Sequence, residues 1–187
     1  MTKINHTEII KKRLLNEDWP NYTNPDRMAE LDGLADDALS ISKIDATTCI
    51  ASILILQQMT EELIKVLLES SRLLMQVQLL PLEITFKPTK KAMFGELLKQ
   101  LESSINFQYK IEIIKISNII NTQRIEVAHK LIQKDNLDEL QSSALEVRNN
   151  FESFLQLFDI SYSWIVDCLD DLKKLHMKEY ASSNQSN

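Results

Sequence analysis

Residues 46–78 read ATTCIASILILQQMTEELIKVLLESSRLLMQVQ, with no Pro or Gly to interrupt them. Ile50, Ile53, Leu54, Met59, Leu63, Val66, Leu67 and Leu74 recur three and four residues apart, the repeat of a helix that buries one face. Asp45 stands where a side-chain oxygen can accept from the first free amides of that helix. The spacing predicts one long helix over 46–78 and points to an all-α chain. The charge-free run inside it, Ala46 to Thr60, includes Thr47, Thr48, Gln57 and Gln58 and is shorter than the ~20 residues a bilayer requires.

The flanks read the same way. Residues 2–17 predict a short amphipathic helix that stops at Asp18-Trp19-Pro20. Pro25 suits a first helical position, with Asn24 as its N-cap, and opens a second helix to about Lys43. LLPLEITFKPT (79–89) is the only stretch with strand character, and Pro81 and Pro88 make it a connector. Thr89 is placed to cap a fourth helix over about 90–103, and a fifth runs over about 108–133. Asn136 with Glu139 three residues on resembles a capping box; it opens a last helix to about Met177, with a break expected near Asp159. The expected architecture is a bundle of about five to six helices with an up-and-down four-helix core. Residues 1–44 form an N-terminal helical extension, 45–178 the bundle and 179–187 a disordered tail.

Composition narrows the function. Only 2 of 187 residues are Gly, against ~13 at average usage. That excludes Gly-rich phosphate loops and dinucleotide fingerprints and disfavours tight hairpins. Cys49 and Cys168 lie far apart without metal-ligand spacing and read as free thiols of a reducing compartment. The start, MTKINHTEIIKKRLL, is polar and amphipathic rather than a signal peptide. A cytoplasmic protein without membrane contact is expected. Glu126 and His129 form one Glu-x-x-His; a di-iron bundle needs two, and the chain has no second, which only a homodimer could supply. No metal and no cofactor are expected.

The net charge of −6 conceals an uneven distribution. Residues 1–86 hold 8 Lys+Arg against 13 Asp+Glu, and residues 135–187 hold 4 against 10. Residues 87–134 hold 9 against 4, a net of +5. Salt-bridging between helices of opposite sign accounts for this in one reading; a local phosphate-attracting surface accounts for it in the other.

QYKIEIIKISNIINTQRIEVAHKLIQ (108–133) lies inside that basic segment. With Ile113 set at zero on a helical wheel, its apolar arc centres near about 20–40°, and Arg124 falls at about 20°. An arginine there must be paired inside the bundle or face a second protein surface, because an unpaired buried guanidinium costs several kcal/mol. His129 falls near about 160°, at the edge of the arc. Histidine can act as general acid or base near neutrality, and arginine's planar fork suits phosphate. The two side chains project about 140° apart. One helix cannot close both around a phosphate, but two copies across a twofold axis can.

Three stretches resemble the HEPN (higher eukaryotes and prokaryotes nucleotide-binding) domain: NTQRIEVAHKL (121–131), with its Arg-x4-His pair, KAMFGELLKQLE (91–102) and ILILQQMTEELIKVLLES (53–70). The likeness covers roughly residues 46–135. It implies a dimeric, metal-independent ribonuclease that uses the RNA's own 2′-hydroxyl, as in toxins held in check by an antitoxin partner. Arg124 and His129 would be its catalytic pair, with Asn121, Gln123 and Glu126 as supporting polar groups. Active members usually carry a polar residue directly after the arginine, whereas this chain has Ile125. The alternative is a non-catalytic regulator or adaptor, similar to the mannitol-operon repressors, that acts through protein–protein contacts. A helical interaction protein with no nucleic-acid role is the third reading.

Overall fold

The computed structural model describes residues 6–21, 25–40, 45–133 and 137–184, with backbone alone at 25, 128–133 and 179–184. Those residues form α1 (His6–Leu15), α2 (Pro25–Ala38), α3 (Ala46–Gln78), α4 (Phe94–Glu102), α5 (Lys110–Gln133) and α6 (Leu137–Asn184). No strand occurs among them, as the shortage of Gly and the helical spacing predict. None of the described helices is long and apolar enough to cross a membrane.

α3 has the expected bounds, and its N-terminus shows why. The Thr48 amide donates to Asp45 Oδ1 at 2.8 Å, and the Asp45 amide donates back to Thr48 Oγ1 at 2.9 Å. This reciprocal box satisfies two amide donors, one of them a free amide of the first turn. The helix buries Ile53, Leu56, Leu63, Leu67 and Leu74 on its core faces but leaves Leu54 exposed. At about 1.5 Å per residue it is about 50 Å long.

Three helix boundaries differ from the sequence reading. α2 ends at Ala38, short of the expected end near Lys43. α4 starts at Phe94 behind Met93, which makes no side-chain cap. Thr89 does not cap it; its hydroxyl donates to Glu69 Oε1 at 2.9 Å, and Ala92 N closes a turn onto Thr89 O. The helix begins where its buried set, Phe94, Leu97, Leu98 and Leu101, can face the core. α6 runs unbroken past Asp159 and on to Asn184, into the stretch read as a disordered tail. The Phe158 and Ser161 side chains are both buried on either side of Asp159, and the helix continues through the expected break. The proposed caps Asn24 and Asn136 lie outside the described residues.

A few contacts fix the directions of the helices. Ser70 Oγ on α3 and Tyr162 Oη on α6 both donate to Pro20 O. Arg148, lower on α6, pairs with Asp32 and Asp36 of α2. α2 therefore runs against α6. Leu31 of α2 shares a groove with Gln58 and Met59 of α3, so α3 runs with α6. Ser161 Oγ donates to Gln108 O at 2.6 Å, just ahead of α5, and α5 ends at Gln133 close in sequence to the start of α6. α5 is thus antiparallel to α6, and α2, α3, α5 and α6 alternate in direction. The segment 1–44 contributes Ile10, Leu14 and Ala35 to the same core as the long helices.

Phe151, Phe154 and Phe158 are fully buried on one face of α6, and the half-buried Tyr162 continues the row. Their rings follow one another at centroid distances of 6.2, 6.2 and 5.6 Å. On the outside, Gly33 sits exposed within α2, and a Cβ there would meet nothing within 4 Å. We expect Gly33→Ala to raise stability by about 0.5–1 kcal/mol, since Ala is the better helix former. A urea midpoint at or below that of the wild type would contradict this.

Candidate functional site

The residues expected to carry chemistry lie on the second half of α5. Arg124 is exposed there, and no ion pair or hydrogen bond holds it among the described residues. Of the two alternatives for an arginine in that arc, pairing inside the bundle is not seen among the described residues. Ile113, Ser117 and Ile120 on the same face are fully buried and Val127 further along is buried too, but no residue from 121 to 126 is. Wheel position specifies a direction only, and the long arginine stem can carry its charged head from such a position to water.

Ile125 is also exposed, at 44%. Asn121 and Gln123 are half-buried, and Gln123 Oε1 is buried with no donor among the described residues. Glu126 is exposed and engaged in an interaction. Gln123 and Glu126 share an open groove with Lys115, Asn118 and Glu146. Arg124 and Asn121 do not line it. His129 belongs to the helical backbone of α5, but its side chain lies outside the described residues. No cluster of three or more metal-ligating side chains occurs among the described residues.

Both cysteines are free. Burial, reinforced by nearby carboxylates, raises both thiols above their ordinary value, so neither is an activated nucleophile.

The sequence reading missed two polar centres, at Arg72 and Lys110. Arg72 is buried on α3; its Nη1 donates to Glu69 Oε1 at 2.8 Å and its Nη2 to Gln100 Oε1 at 2.5 Å. Its guanidinium lies 5.1 Å from the centre of the Phe86 ring, a cation–π distance. This ties α3, α4 and the connector together. In the sequence, Arg72 interrupts the apolar run of α3, and that was the available signal.

Lys110 is the second centre. Although 6% exposed, its Nζ donates to the carbonyls of Glu102 at 2.6 Å and Ser104 at 2.9 Å. It thereby closes the C-terminus of α4, where a cation is favoured. Burial holds the Lys110 amine below its ordinary value, partly offset by the Glu102 carboxylate. Between the lowered folded value and 10.5 the unfolded chain binds more protons, so this group's contribution to stability rises with pH across that window. Lys110→Met is expected to cost about 1–3 kcal/mol at neutral pH by leaving the two carbonyls without a donor. Its deficit against the wild type should widen as the pH rises toward 10.5 in urea titrations. A deficit that shrinks over that range would contradict the assignment.

No protein-family model matches the chain, and no curated protein or solved structure matches it either.

Proposed function

We propose that this protein is a HEPN-like, metal-independent endoribonuclease whose site is completed by a second copy of the chain. The observation that carries the reading is Arg124, an exposed guanidinium without a partner among the described residues, on the helix that also bears His129. A guanidinium tied to a carboxylate of its own subunit could not turn to a phosphate; this one can. It lies in the segment 87–134 with its net charge of +5, which draws a polyanion locally although the whole chain is acidic. Arg124 would stabilise charge on the transferring phosphate, and His129 of the other copy would move the proton. Gln123 and Glu126 would border the strand, and an antitoxin-like partner would cover this face when activity is held off.

The test is cleavage of total cellular RNA, with chelator present, by the wild type beside Arg124→Ala and His129→Ala. A second reading, the non-catalytic regulator or adaptor, is favoured by Ile125, an apolar side chain exposed directly beside Arg124. It predicts no cleavage by any of the three and a protein partner whose binding is lost in Ile125→Asp.

A further inference from the structure

Between α3, α4 and the 79–93 connector lies a groove of about 490 Å³. Its polar lining is rich in donors. Arg72, Gln100, Lys87 and Lys99 face it, against the single carboxylate of Glu96. Lys87 and Lys99 are exposed and have no partner among the described residues.

Gln100 carries the argument. Arg72 donates to its Oε1, which fixes the orientation of the amide, because an arginine cannot donate to an amide nitrogen. The Nε2 must therefore point away from Arg72. It is buried and has no acceptor among the described residues. A buried donor left this way costs about 1–3 kcal/mol unless something supplies an oxygen.

The C-terminus of α4 would ordinarily repel an anion here. That end is already closed. Ser103 Oγ donates to Gln100 O, Ser104 Oγ to Leu101 O, and the Lys110 ammonium to Glu102 O and Ser104 O.

We propose that this groove is an oxyanion site that takes a phosphate group, with Gln100 Nε2 as the inner donor and Lys87 and Lys99 as the charged rim. The phosphate can come from a free nucleotide or from the backbone of an RNA strand; the chemistry recognised is the same. The site does not involve Arg124 and stands or falls independently of it.

The experiment is an NMR titration with inorganic phosphate at constant ionic strength, following the Gln100 side-chain amide. The expected result is a saturable shift of that resonance. Gln100→Glu keeps an oxygen for Arg72 and turns the inner donor into an anion. It should stay folded by circular dichroism and bind phosphate at least about tenfold more weakly, the loss of one charge-assisted hydrogen bond. No saturable shift in the wild type, or equal binding by Gln100→Glu, overturns the proposal. Competition then identifies the source. Displacement by a nucleoside monophosphate indicates a free nucleotide, and displacement by a short oligoribonucleotide without terminal phosphates indicates an RNA backbone. Arg124→Ala should leave phosphate binding unchanged, so loss of cleavage and loss of the anion site are read separately.

Discussion

Arg124→Ala and His129→Ala should each reduce RNA cleavage by about 10²–10³-fold while leaving the protein folded. The size follows from the roles assigned. Removing a charge-stabilising donor from a phosphoryl-like transition state typically costs about 10²–10³ in rate, and losing a general acid or base costs about 10²–10⁴. For Arg124 the integrity of the fold follows from position. Arg124 is exposed and makes no ion pair among the described residues, and surface substitutions of that kind stay within about 0.5 kcal/mol. Arg124→Lys keeps the charge but loses the planar fork, so it should recover only part of the activity. Because each site draws on two copies, mixing the two alanine variants should restore a fraction of the activity through heterodimers that carry one intact pair. Cleavage that survives in either single variant would remove that residue from the site. A wild type that does not cleave RNA would favour the adaptor reading and turn attention to what binds Ile125.

The largest effect on stability is expected in the aromatic row of α6. Phe154 is fully buried between Phe151 and Phe158, with ring centroids 6.2 Å away on each side. Truncation to Ala removes its own buried area and the contact partner of both neighbours, a loss of about 3–5 kcal/mol for a buried Phe. Domains of this kind are stable by only about 5–15 kcal/mol, so the variant should lose a large share of its margin. Phe154→Leu keeps most of the volume and should cost less than about 1.5 kcal/mol. Urea unfolding followed by circular dichroism checks both. A cost below about 1 kcal/mol for the alanine variant would show that α6 repacks freely and that the row is not a structural centre.

The stretch 46–78 determined much of this protein by itself. Its repeat and its Asp45 cap specify α3 and its start, and the lack of Gly with the helical spacing elsewhere specifies an all-α bundle. Those features are local: a capping box spans four residues, and an apolar face repeats every turn. Three others were settled only by tertiary packing. The wheel placed Arg124 at the centre of an apolar arc, yet it is exposed while Val127, three residues on, is buried. Thr89 has the chemistry of a cap, but Glu69 on a neighbouring helix takes its hydroxyl. Gln100 reads as an ordinary surface amide until Arg72, 28 residues earlier, fixes its oxygen and leaves its nitrogen buried without an acceptor. The periodicity of a sequence states which way a side chain points along its own helix. Whether anything meets it there depends on how the neighbouring helices pack, and that only the assembled bundle decides.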